Sequence, residues 1–196
     1  MSFDQPEYYE QTFSKIDESD NKISSIEFDC CTFENCNFEF AEFRSCKFIN
    51  CQFVNCNLSN IAFSFSTFSD VEFAQCKMIG IDWTKVGWSQ FNTTSPIKCF
   101  ECNLSDNSFY ALKLCEIVLH DCRVHRVDFR EGNFSKSDFS SSDFSFSQFS
   151  NTNLESTNFE SAYEYQIDVR INNIKQAKFS KEEAINLLFG LEIEII

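Results

Sequence analysis

The residues best suited to thiol or metal chemistry are 11 cysteines and two histidines. Cys99 and Cys102 form a C-x-x-C, and Cys115, His120, Asp121, Cys122 and His125 follow within a short stretch. Structural zinc needs four such donors converging on one point. Nucleophilic catalysis needs a base held against a Ser or Cys, and phosphate binding needs a glycine-rich loop. With two His and four Gly in 196 residues, neither has support. The 30 Asp and Glu are plentiful, but acid–base work requires carboxylates desolvated by their surroundings. Whether any of these groups converge depends on the elements that carry them.

A period of five governs those elements. From Phe28, steps of five give Phe33, Phe38, Phe43, Phe48, Phe53, Leu58, Phe63, Phe68, Phe73, Met78, Trp83 and Trp88. From Leu104 they give another unbroken apolar series to Phe159. Two residues before each comes a small or β-branched residue, such as Cys31, Cys36, Ala41, Cys46, Cys51 and Cys56, and later Ser137, Ser142, Ser147, Thr152 and Thr157. On an α-helix a step of five turns the side chain by about 140°, and on a flat strand an odd step flips the face. A chain that bends inward every five residues satisfies the pattern, and such units bury a core only by stacking as a solenoid. Cys115, His120 and His125, five apart, then fall on different faces. No metal site, cofactor or catalytic residue is expected, and the protein is not expected to be an enzyme.

The pattern resembles the A-(D/N)-(L/F)-x-x motif of the pentapeptide-repeat family, as in Cys36-Asn37-Phe38, Cys56-Asn57-Leu58, Cys102-Asn103-Leu104 and Thr152-Asn153-Leu154. The resemblance implies an all-β fold, a right-handed quadrilateral β-helix with four pentapeptides per coil. Residues twenty apart then stack at about 4.8 Å. Cys36, Cys56 and Cys76 should form one ladder, Phe33, Phe53 and Phe73 a second, and Asn35, Asn55 and Gln75 an outer amide ladder.

Three regions are expected: an N-terminal cap over 1–25, the β-helix over 26–162, and a C-terminal capping and dimerisation module over 163–196. The two apolar series are out of phase, and the slip falls at about 89–101, a segment that also holds Pro96. It is either a bulged coil or a projecting loop. Near the C-terminus, Ser180 and Glu183 have the spacing of a capping box. They predict a helix over 181–189 stopped by Gly190, and the alternation after it predicts a short strand.

The tail, with Asp168-Val169-Arg170, Ile174-Lys175 and Ala177-Lys178-Phe179-Ser180, resembles the Qnr-type quinolone-resistance and McbG-type immunity branch of that family. The resemblance implies an end-to-end homodimer through the C-terminus, here through Leu187, Leu188, Leu191, Ile193 and Ile195. It also implies a partner, DNA gyrase or topoisomerase IV, bound by resembling duplex DNA.

The formal net charge of -14 disfavours nucleic acid itself as a ligand. It either keeps a chain with 25 Phe soluble or attracts a protein that normally holds DNA. The repeat region carries roughly one net negative charge per 4 Å of rod, against about one per 1.7 Å in duplex DNA. Glu27, Asp29, Glu34, Glu39 and Glu42, with Ser89, Asn92, Lys98 and Glu101 around the slip, are the candidate partner-binding residues. Arg123, Arg126 and Arg130 interrupt the acidic run; they either mark another partner or pair with Asp121, Asp128 and Glu131. A structural or adaptor solenoid with an unrelated partner is the alternative function. Residues 1–20 lack a basic stretch followed by an apolar one, which argues against a signal peptide. No apolar run is long enough for a membrane, so a cytoplasmic bacterial protein with reduced cysteines is expected.

Overall fold

The computed structural model describes residues 3–88, 96–191 and 193. The chain winds as a right-handed β-solenoid of about eight coils, and its strand pairings are all parallel. Each coil has four sides, and each side is centred on one residue of the large apolar column. Face 1 stacks Tyr8, Phe28, Phe48 and Phe68 at 5.2–5.5 Å between ring centroids. Face 2 stacks Phe13, Phe33, Phe53 and Phe73 at 4.5–5.2 Å. Face 3 carries Phe38, Leu58, Met78, Leu104, Val124 and Phe144, and face 4 carries Phe43, Phe63, Trp83, Phe109, Phe129 and Phe149; all are buried. Aromatic stacking at strand spacing adds to the burial of each ring.

Each motif position has a local cause. The Asn or Asp before the large residue accepts from the N–H two residues on, as Asn103 does from Ser105 (3.1 Å) and Asp143 from Ser145 (3.0 Å). This Asx turn starts the bend. The corner residue two after the large one is left-handed in most coils, for instance Asn35 at φ 54° and Asn55 at 53°, a region where Asn, Asp and Gly cost least. Lys85, in the 3-10 turn Trp83–Lys85, departs from it.

The small inward residue works as a connector. Ser142 Oγ donates to the Leu119 carbonyl (2.8 Å) and accepts from the Cys122 N–H (2.9 Å). Cys56 Sγ does the same with the Phe33 carbonyl and the Cys36 N–H, at 3.3 and 3.4 Å. Cys, Ser and Thr alternate in this column because each is short and offers both a donor and an acceptor. Ser142→Ala would leave both backbone groups buried and unpaired, and is expected to lower stability by about 1–3 kcal/mol. Ser142→Cys should cost clearly less. Urea unfolding of the two variants checks the difference.

The cysteine ladder runs as expected through Cys36, Cys56 and Cys76 and continues to Cys102 and Cys122. The amide ladder is shorter than expected. Asn55 donates to Asn35 at 2.6 Å, whereas Gln75 turns to Glu101 at 3.0 Å.

The boundaries differ from the sequence expectation in three places. Residues placed in an N-terminal cap form the first coil: Glu7–Tyr9 pairs with Glu27–Asp29, and Thr12–Ser14 with Thr32–Glu34. The step of five holds back to Phe3 but is interrupted by Glu18, which is buried and bound by Asn21 (2.8 Å). At the slip, the regular solenoid resumes earlier than 101. Ile97–Phe100 is a strand in register with Val71–Ala74, an offset of 26 residues where the others are 20. Cys99 takes a place in the large column there. At the other end the coils continue past 162, since Asn153 bridges Asn173 and Lys178–Phe179 pairs with Asn158–Phe159.

The closing helix spans Glu183–Leu191 and is a 3-10 helix. It passes through Gly190 rather than stopping there and takes in Leu191. Ser180 Oγ is engaged by the Ser161 N–H (2.6 Å) instead of a helix N–H. The rest of the expected terminal strand lies outside the described residues, apart from Ile193. Asp168 holds the last coil through a two-pronged contact with Arg170 (2.7 and 3.0 Å). That guanidinium keeps the Asp168 carboxyl at about 2, below its ordinary 3.8. A carboxyl depressed in the folded state contributes stability above its unfolded value, and loses that contribution as pH falls through the folded one. The melting temperature of the wild type should therefore fall more between pH 4 and pH 2 than that of Asp168→Asn.

Candidate partner-binding surface

The thiols are poorly placed for chemistry. Cys99, Cys102 and Cys122 are buried, and all 11 cysteines are free. Burial raises Cys51 to about 12 and Cys122 well above the usual thiol range, which makes them inert. Cys115, exposed, accepts from Ser135 (3.3 Å), His120 meets Ser140 (2.9 Å), and His125 meets Asp143 (2.7 Å). These three lie on faces 1, 2 and 3 respectively. Among the described residues no group of three His, Cys, Asp or Glu side chains could hold a metal.

The outer surface is therefore the site to examine. The five candidate acids of the second coil do not share one patch. Glu27 and Asp29 flank Phe28 on face 1, Glu34 follows Phe33 on face 2, Glu39 follows Phe38 on face 3, and Glu42 precedes Phe43 on face 4. They form a belt. Three of them, Glu27, Asp29 and Glu34, are spread over faces 1 and 2 on either side of the Cys30 corner, with only Asp29 adjoining it. There they are joined by Glu7, directly in register with Glu27, and by Glu10 at the corner above Cys30. Glu7 and Glu10 escaped the sequence reading because that region was assigned to a cap.

Glu42 lies between Lys22 and Arg44, each 3.8 Å away, and Glu39 accepts from Asn57 (3.3 Å). Glu27 contacts Lys47 (2.9 Å). At the slip, Lys98 pairs with Asp70 (2.6 Å) and Glu101 occupies a left-handed corner, φ 53°. Ser89 and Asn92 lie outside the described residues.

The arginine group is mostly internally paired. Arg130 grips Asp128 (2.7 and 2.9 Å), as expected. Arg126 grips Asp106 one coil earlier (2.7 and 2.8 Å) rather than Asp121 or Glu131, because residues twenty apart are neighbours at a corner. Arg126 holds Asp106 below the usual carboxylate value. Arg123 donates to His125 (3.0 Å).

At the C-terminal end, Leu187 packs partly against the core, while Leu188, Leu191 and Ile193 are exposed. Ile195 lies outside the described residues. Beside the helix, a cleft of about 670 Å³ is lined by Phe149, Tyr165, Asp168 and Glu183, among others. Burial and the charge of Glu183 push the Tyr165 hydroxyl up to about 12. Among the described residues, no helix is long and apolar enough to cross a membrane.

Two family profiles match the chain: a pentapeptide repeat region over residues 26–95, and pentapeptide repeats (8 copies) over residues 122–160. The chain belongs to the pentapeptide-repeat family. Solved structures with the same fold include two trypsin-treated forms of QnrB1, a plasmid-mediated fluoroquinolone resistance protein. One is 23% identical with a TM-score of 0.60, covering 97% of this chain and 91% of that one. The other is 21% identical with a TM-score of 0.61, covering 94% and 100%. No curated protein matches.

Proposed function

We propose that this pentapeptide-repeat protein is a non-enzymatic binder of DNA gyrase or topoisomerase IV that protects its partner against quinolones or a gyrase-directed toxin. The observation that carries this reading is the acidic patch of Glu7, Glu10, Glu27, Asp29 and Glu34 over faces 1 and 2 of a rod of strand-spaced coils. Carboxylates on two successive coils, at strand spacing, offer a DNA-binding groove a local patch of negative charge near one end of the rod. Kinship in fold with a fluoroquinolone resistance protein over nearly the whole chain supports the same reading. The exposed Leu188, Leu191 and Ile193 support end-to-end pairing of two copies through the C-terminal module, which lengthens the rod. The basic residues Arg123, Arg126 and Arg130 around faces 3 and 4, which interrupt the acidic surface, favour the second reading, an adaptor solenoid with a different partner.

The test is DNA supercoiling by gyrase and decatenation by topoisomerase IV, each titrated with the protein, with and without ciprofloxacin. Rescue of activity in the presence of the drug is the expected result. No effect on either enzyme at any ratio would shift the reading to the adaptor.

A further inference from the structure

Most corners of this solenoid are left-handed, and the majority carry Asn, Asp, Ser, Glu or Lys. Three carry phenylalanine instead: Phe40 at φ 57°, Phe65 at 57° and Phe146 at 62°. A bulky aromatic is an uncommon occupant of that backbone region. These three are also 57%, 66% and 72% exposed, so neither local conformation nor core packing accounts for them. All three border face 4, as does the exposed Tyr110. Face 4 is also where charge cancels within the chain: Glu42 with Lys22 and Arg44, Asp82 with Lys85, Asp128 with Arg130.

Phe40 and Phe146 share one column, the corner between faces 3 and 4. Backbone bonds link it rung by rung through Asn60, Gly80, Asp106 and Arg126. Five steps of about 4.8 Å place the two rings about 24 Å apart, symmetric about the midpoint between Gly80 and Asp106. A two-fold axis through that midpoint, across the face, lays one copy antiparallel on another. It sets Phe40 of each copy on Phe146 of the other.

The same operation matches the remaining columns. Gly80 falls opposite Asp106, Asn60 opposite Arg126, Ala62 opposite Asp128, Ser64 opposite Arg130 and Thr84 opposite Tyr110. Glu42 falls opposite Gln148, Arg44 opposite Ser150, Asp82 opposite Ser108 and Phe65 opposite Glu131, and in none of these pairs do like charges meet. We propose that face 4 is an isologous homodimer surface, its occupant a second, antiparallel copy of this chain, anchored by the Phe40–Phe146 contact at each end. In a chain of net charge -14, docking through a face whose charges pair within the chain also keeps the acids of faces 1 and 2 on the outside. A strip of this length covers on the order of 700 Å² per copy, which suits a dimer of moderate affinity.

The test is sedimentation equilibrium of the full chain carrying Leu188→Glu, so that C-terminal pairing does not contribute. This parent should form a dimer that dissociates at micromolar concentrations. Phe40→Lys and Phe146→Glu should each weaken dimerisation at least tenfold. The double variant, which places Lys opposite Glu at both contacts, should recover to within about threefold of the parent. Lys15 and Glu131 already occupy left-handed corners at φ 56° and 60°, so the variants should fold, and circular dichroism verifies it. A parent that stays monomeric to 200 μM, single variants without effect, or a double variant no better than the singles would each overturn the proposal. None of these outcomes bears on gyrase protection, which is measured separately.

Discussion

Trp83→Ala is expected to lower the stability of the solenoid by about 3–5 kcal/mol, the range for deleting a large buried aromatic. Trp83 is fully buried at the middle of face 4. Its ring stacks between Phe63 (5.8 Å) and Phe109 (5.6 Å), and meets Phe68 and Phe73 edge-on. It stands where register jumps: Asp82 bridges Ser108, 26 residues on, while Asn37 bridges Asn57, 20 residues on. In a solenoid each coil touches only its neighbours, so stability is a sum of coil and interface terms. Removing the ring at the interface where the register jumps by six residues should therefore uncouple the two halves as well as weaken them. Urea unfolding followed by far-UV dichroism should show a lower midpoint and a broader or split transition. Trp83→Phe should retain most of the stacking, with a loss below about 1.5 kcal/mol. A loss below 1 kcal/mol for Trp83→Ala would mean that the halves are held together elsewhere.

Charge reversal at the acidic patch should have the largest effect on function. The triple variant Glu27→Lys, Asp29→Lys, Glu34→Lys is expected to weaken binding to gyrase by tenfold or more, mainly through slower association, because it reverses the field that steers encounter. Glu39→Lys with Glu42→Lys, on the other two faces, should change affinity by less than about threefold. Surface plasmon resonance at two salt concentrations separates the cases: the wild type should lose affinity steeply with salt, and the triple variant weakly. Equal losses from the two sets would show that the belt acts only through total charge.

Much of this architecture was legible because one physical requirement, burial of every fifth residue, leaves a mark no helix or flat strand can produce. The Phe33, Phe53 and Phe73 stack and the cysteine ladder follow from it directly. What was not legible has specific causes. Glu18 breaks the apolar column, so the first coil, and with it Glu7 and Glu10, read as a cap. Cys99 stands where a large residue is expected, so the chain's return at Ile97 was hidden inside the slip. Gly190 reads as a helix stop, but the closing turn is a 3-10 helix that continues through it. The belt arrangement of the five acids was implicit in the period, since residues five apart belong to different faces. The Phe40–Phe146 symmetry required the rung-by-rung register across the slip.

The most direct measurement is the anisotropy of a fluorescent DNA duplex bound to gyrase, titrated with the protein. Displacement of the duplex near stoichiometric protein, lost in the Glu27, Asp29 and Glu34 triple variant, is the result expected of a rod that occupies the DNA-binding groove. A duplex that stays bound while the protein binds gyrase, or a protein that does not bind gyrase at all, would contradict it.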